Sequence, residues 1–211
     1  MSQSLNFRYK AGLIVPTRFE WDAMREAIEA EFSALPVLVP GMGKVRAAIA
    51  ARDLAAAMRC RHVILAGFCG GVRSLRVGDA VSASLAFEGD FDSGGLEGTG
   101  NHDDILCHSV PIEIVEGING VAFVCQDRLL KEDVYKDQIW HGTLATDMES
   151  YAAAVAVAGT ESSFHVVKVV SDVVNQDSAR DFKMAINGLA KKMTETTIEA
   201  IKKITKTGGI S

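Results

Sequence analysis

Short apolar runs alternate with stretches of helical periodicity along the first third of this chain, and few folds accept that pattern. Residues 11–15 carry no charged side chain and read as a buried strand. Behind Thr17, a suitable N-cap, residues 18–32 repeat Phe19, Ala23, Met24, Ala27 and Ile28 on one helical face. Residues 37–39 form a second short run, ending at Pro40-Gly41-Met42-Gly43. An alanine-rich helix follows over 44–58, then a third run over 62–66 that ends in the glycine turn Gly67-Phe68-Cys69-Gly70-Gly71. Strand, turn and helix in that order place a central sheet between covering helices, an α/β architecture. Further along, residues 80–87, 121–125, 143–148 and 163–170 read as strands. Residues 129–138 and 150–158 read as helices, and 182–205 as a long amphipathic one. Residues 88–108, rich in glycine and aspartate, read as a loop. No repeat or linker interrupts the pattern, so 1–211 reads as one domain.

Apolar residues at 48% and charged residues at 23% suit a soluble globular domain. A formal charge of −5 weighs against nucleic acid or an anionic membrane as partner. Cys60, Cys69, Cys107 and Cys125 share no C-x-x-C spacing and are expected as reduced thiols. The start of the chain shows no signal-peptide pattern. The longest apolar stretch, 151–159, is too short to span a bilayer. A cytoplasmic location is the expectation.

Chemistry in open α/β sheets gathers at the carboxyl ends of strands, and four acids fall there. Asp172 follows a β-branched run; a carboxylate partly desolvated at that place keeps its proton and can hand it to a leaving group. Asp147 and Glu149 bracket Met148 before a small-residue helix. One of them suits two adjacent hydroxyls of a sugar, while the other suits the helix start. Glu20, just after the first strand, reads either as a first-turn acid or as a base that orients water. Lys168 breaks an apolar strand and needs a carboxylate partner, for which Glu20 is a candidate. The glycine turns at 41–43 and 67–71 match neither a P-loop nor a dinucleotide fingerprint. Their N–H groups suit an anion or a hydroxyl. Asn101-His102-Asp103-Asp104 with His108 lacks a scaffold that would fix metal geometry, so no metal is expected. No G-x-S-x-G elbow is present.

In their order and spacing these stretches resemble the purine nucleoside phosphorylase and nucleosidase superfamily, and most closely its methylthioadenosine/S-adenosylhomocysteine nucleosidase branch. The carrying segments are Gly12–Val15 with Glu20, Gly41–Val45, Gly67–Val72, Leu75–Val81, Asp147–Glu149 and Val170–Val173. The resemblance implies a three-layer α/β/α sandwich with a mixed, partly closed central sheet, a purine nucleoside as substrate, no cofactor, and a homo-oligomer, with a dimer favoured. It implies that Asp172 protonates the departing purine, Glu149 binds the ribose hydroxyls, Met148 packs on the sugar and Glu20 orients water. Lys168 stands where that branch usually carries an arginine. Phe68, Cys69, Gly70 and Ser171 would line the substrate, and Leu129 takes the place of an aromatic that stacks on the base. Phosphorylases of the superfamily carry Pro-Gly-Asp-Pro-x-Arg where this chain reads Pro16-Thr17-Arg18-Phe19-Glu20. Phe68 replaces the serine of the glycine turn. Both departures favour water over phosphate, because an unpaired anion is costly. Two alternatives stay open. One is a phosphorylase of a specialised pathway, for example a hopanoid-associated one, holding phosphate through Arg18 and Lys44. The other is a silent nucleoside-binding paralogue. Residues 88–118 are shorter than in the branch, which leaves the 5′ substituent undefined.

Overall fold

The computed structural model describes residues 7–72, 74–90, 109–129, 143–174 and 178–207. The strands are β1 (Tyr9–Ile14), β2 (Val37–Leu38), β3 (Cys60–Gly71), β4 (Ala80–Glu88), β5 (Ser109–Pro111), β6 (Asn119–Cys125), β7 (Thr143–Asp147) and β8 (Ser163–Val173). The α-helices are α1 (Arg18–Glu31), α2 (Lys44–Arg52), α3 (Ser150–Val157) and α4 (Ser178–Thr207).

Strands covered on both sides must be apolar on both faces, and β3 and β8 are. Val63 and Leu65 of β3, with Val166 and Val170 of β8, join a core beneath α2 and α3. Ile64 and Ala66, with Val167 and Val169, join a second core beneath α1 and α4. Alternate side chains of one strand thus feed two helical layers, and the three-layer α/β/α sandwich follows. The 8-stranded sheet runs β2-β1-β3-β7-β6-β4-β5, with β8 bonded to both β3 and β4. β8 lies parallel to β3 and antiparallel to β4, while β7 meets the end of β3 antiparallel. The path β3-β7-β6-β4-β8 therefore returns to β3, and the mixed sheet is partly closed.

Several elements depart from the sequence reading. The glycine segment 67–71 is not a turn: β3 continues through it, bonded to β8 and then to β7. Glycine serves close strand contact here, since a Cβ on Gly70 would stand 2.8 Å from Thr146 Cγ2. The helix expected over 44–58 is α-helical only to Arg52; a π-helical turn (Asp53–Ala57) completes it and keeps Leu54 buried. The edge strand β5, three residues ending in Pro111, has no counterpart in the pattern reading. Most of the expected loop 88–108, the His102 cluster, Cys107 and most of the expected helix 129–138 lie outside the described residues. Cys60, Cys69 and Cys125 are buried free thiols.

Two histidines face each other between β3 and β8, far along the strands from the glycine segment. His62 Nδ1 and His165 Nε2 are 3.3 Å apart, and His165 Nδ1 lies 3.2 Å from the carbonyl of Glu113. Donation to that carbonyl leaves His165 Nε2 as acceptor, so His62 Nδ1–H is the donor. Burial, then the neighbouring His165 and Arg61, hold His62 down to about 4, against an upward pull from the Glu113 carboxylate. An unfolded histidine titrates near 6.5. The unfolded chain therefore gains this proton first, and stability falls as pH drops from about 6.5 towards 4. Thermal melts between pH 7 and pH 4.5 should show that loss, and His62→Leu should lessen it, the remainder belonging to His165, which burial also holds down.

Candidate active site

Thr17 starts α1 because its hydroxyl accepts from the Glu20 N–H (3.2 Å) while the Glu20 carboxylate reaches back to the Thr17 N–H, a capping box. Glu20 Oε2 takes that N–H at 3.0 Å and the Thr17 hydroxyl at 2.6 Å. Glu20 Oε1 takes the Phe68 N–H of β3 at 2.9 Å. The first-turn reading of Glu20 thus has its geometry: it caps its own helix, and it is also buried against β3. Gly67 permits this, since a Cβ there would stand 2.5 Å from Glu20 Oε1. Burial pushes the Glu20 carboxyl above its ordinary value; the Lys168 ammonium, Thr17 and Phe68 act against that shift.

Lys168 points into the same region and is 1% exposed. Its partners are not Glu20, as expected, but Asp147 Oδ2 at 2.9 Å and Glu149 Oε2 at 3.0 Å. Glu20 is turned towards Thr17 and Phe68, which take three of its four lone pairs, and contributes only a longer-range attraction. The two carboxylates and Glu20 hold the ammonium firmly charged despite full burial. Asp147 is the structural member of its pair: Oδ1 accepts from the Ser150 hydroxyl (2.7 Å) and N–H (3.2 Å) at the start of α3. Glu149 is held from two sides, with Oε1 accepting from the Gly43 N–H at 3.2 Å. The N–H of Lys44 next to it donates to Asp127 Oδ1 at 2.9 Å. The α2 start, read from sequence as facing an anion or a hydroxyl, is thus met by two side-chain carboxylates of this chain.

At the end of β8, the Ser171 hydroxyl lies 2.7 Å from Asp172 Oδ1 and 3.1 Å from the Cys69 carbonyl. One hydroxyl proton serves one acceptor at a time. With Asp172 ionised, Ser171 donates to it. With Asp172 protonated on Oδ1, the acid donates to Ser171, which turns to the carbonyl.

These ends meet in one cleft. Glu20, Phe68, Cys69, Gly70, Leu129, Met148, Glu149, Ser171 and Asp172 all line it. Lys168 sits beneath the floor, bonded to Asp147 and Glu149. Arg18, an exposed residue, is not among the lining residues, and Lys44 is held at 2.6 Å by each of Glu88 and Asp90. Phe68 and Cys69 are almost fully buried, and burial pushes the Cys69 thiol far up, so it stays protonated. Met42, Thr146 and Arg128 line the cleft too and were missed by the sequence reading. Met42 lay in the Gly41–Gly43 segment already singled out; Thr146 and Arg128 carry no local signal. No group of three or more His, Cys, Asp or Glu suited to a metal occurs among the described residues. No helix among them is long and apolar enough to cross a membrane.

A family model described as phosphorylase superfamily matches residues 30–206. A 5′-methylthioadenosine/S-adenosylhomocysteine nucleosidase of Oceanobacillus iheyensis is 26% identical over 186 residues, covering 80% of this chain and 81% of the relative. The nucleosidase of that name from Neisseria meningitidis, solved with methylthio-immucillin-A, superposes with a TM-score of 0.77 at 20% identity, covering 91% of this chain and 98% of the other. A futalosine hydrolase of Helicobacter pylori gives 0.76 at 14% identity, covering 94% and 98%.

Proposed function

Since the chain belongs to the phosphorylase superfamily, we propose that it is a purine nucleosidase that hydrolyses the N-glycosidic bond of a 5′-substituted purine nucleoside. The observation that carries this reading is the convergence of Glu20, Glu149 and Asp172, from three separate elements, on one cleft. The names of the relatives, two of them nucleosidases and one a hydrolase, favour the same chemistry.

Asp172 gives its proton to the purine as the bond to the sugar breaks, so the base leaves neutral. Ser171 then turns its hydroxyl from the Cys69 carbonyl to the new carboxylate. The sugar becomes cationic, and Glu149, its orientation fixed by Lys168 and the Gly43 N–H, accepts from the ribose hydroxyls with its remaining lone pairs and stabilises that charge. Met148 packs against the sugar and Leu129 against the base. Glu20 has one open lone pair, on Oε1, because Thr17 fills Oε2. That lone pair holds a water proton, and burial makes the carboxyl a stronger base.

Water rather than phosphate suits this arrangement. The Phe68 N–H that would meet an anion is taken by Glu20, and the α2 N–H groups are taken by Glu149 and Asp127. Lys44 is neutralised by Glu88 and Asp90. Incubating the enzyme with methylthioadenosine, adenosine and inosine should give free sugar at a rate independent of added phosphate. A sugar 1-phosphate product would reject the hydrolase reading. Binding without turnover of any of them would favour a silent binding protein. Assembly as a homodimer and a cytoplasmic location belong to the same proposal; exposed Met42 just ahead of α2, Val45 and Ile49 on α2, and Val155 on α3 offer apolar surface for a second copy.

A further inference from the structure

We infer that Arg128 selects substrates carrying an anionic group on the sugar side, which narrows the substrate class and rests on the nucleosidase reading. Among the described residues, the ionisable side chains lining the cleft are the carboxylates Glu20, Asp147, Glu149 and Asp172, the Cys69 thiol and the guanidinium of Arg128. Lys168, a further cation close by among the described residues, is buried and bonded to Asp147 and Glu149. Arg128 is exposed, and no ion pair or hydrogen bond from its side chain is found among the described residues. A neutral nucleoside gives a solvent-facing arginine in such a site nothing to pair with; a carboxylate or phosphate gives it a bidentate partner.

The segment under Arg128 is built to stay in place. Gln126, 1% exposed, donates its side-chain amide to the Arg128 carbonyl at 3.0 Å. The Asp127 N–H donates to Asp90 Oδ2 at 2.9 Å, and the Asp127 carboxylate accepts from the Lys44 N–H. Lys44 closes the clamp by bonding Glu88 and Asp90. The arginine therefore stands on a backbone fixed at three successive residues, which lowers the ordering cost of binding. The same clamp gives its position. Gly43 and Lys44 are consecutive and donate to Glu149 and Asp127 respectively, so the Arg128 segment borders the Glu149 end of the cleft. Glu149 takes the ribose in the reading above. Leu129, the next residue, packs against the base, so Arg128 stands where base and sugar meet. A purine carries no carboxylate or phosphate of its own and Glu149 holds the ribose hydroxyls, so an anion reaching Arg128 is carried by the 5′ substituent.

An isosteric pair of probes tests this: S-carboxymethyl-5′-thioadenosine and its uncharged carbamoylmethyl amide. Both kcat/KM for adenine release and Kd by calorimetry are measured with the full chain and with Arg128→Gln. The expected result is a preference for the acid by about 10- to 100-fold that disappears in Arg128→Gln, where the cleft carboxylates are left to repel it. An acid-to-amide ratio near one in the unaltered protein, or a ratio unchanged by Arg128→Gln, overturns the inference. If neither probe loses adenine, the nucleosidase reading fails while the Kd ratio still decides the role of Arg128. Adding inorganic phosphate separates the other source of the same chemistry. Sugar 1-phosphate formed by the unaltered protein and not by Arg128→Gln would assign the arginine to a co-substrate and reject the 5′ substituent.

Discussion

Asp172→Asn is expected to slow base release by about 10²- to 10⁴-fold, the span attributed to a lost general acid. Asparagine has the same shape and still presents an oxygen to the Ser171 hydroxyl, 2.7 Å from the native Oδ1. The local fold and substrate affinity should therefore persist, and the loss should fall on kcat rather than KM. What asparagine lacks is a proton to give. A purine expelled without one leaves as an anion into a cleft already lined by Glu20, Asp147 and Glu149, which raises the barrier. A second substrate separates this from general damage. A p-nitrophenyl riboside has a leaving group that departs as a stable anion, so its cleavage should be far less sensitive to the same substitution. Equal losses on both substrates, or a purine nucleoside rate within tenfold of the unaltered enzyme, would remove Asp172 from the role of acid.

The carboxylates of this site were legible in the sequence because each sits beside an apolar run that has to be a strand. Asp172 is the last residue but one of β8 and Asp147 ends β7, while Glu20 lies just past β1. The layer order was legible for the same reason, since apolar side chains on both faces of β3 and β8 demand cover on both sides. Partners were less legible. Lys168 announces that a buried ammonium needs an acid, but choosing Asp147 and Glu149 over Glu20 depends on how β8 lies against β7 through β3 and on Glu20 being held towards Thr17 and Phe68. The glycine segment 67–71 misled because glycine signals both a turn and a close strand contact, and only the register with β7 decides between them. Arg128 was invisible, since its importance comes from Gln126, Asp90 and Lys44, residues up to 84 positions away that fix its backbone.

The largest stability effect is expected at Lys168. Its ammonium sits within 3.0 Å of two carboxylates and also attracts Glu20, all of them removed from water. Lys168→Met fills a similar volume but leaves those acids without a counter-charge, and breaking a buried pair from one side costs about 3–5 kcal/mol. For a chain of this length that lowers the melting temperature on the order of 10 °C. The pH dependence gives the cause. In the unaltered protein the raised Lys168 pKa contributes stability that is complete below the unfolded lysine value and lost only at strongly alkaline pH. In Lys168→Met the ammonium no longer opposes the burial that raises the Glu20 carboxyl, so its folded-state pKa stands further above the unfolded value. Its contribution is then fully present in acid and is lost as pH rises through the raised folded value. The deficit of the variant should therefore shrink as urea melts are moved from pH 7 to pH 5. Lys168→Arg, which keeps the charge beside Asp147 and Glu149, should recover most of the loss at pH 7. A deficit below about 1 kcal/mol, the size of an exposed pair, or one that grows on acidification, would mean that the ammonium does not hold the acidic floor of the cleft together.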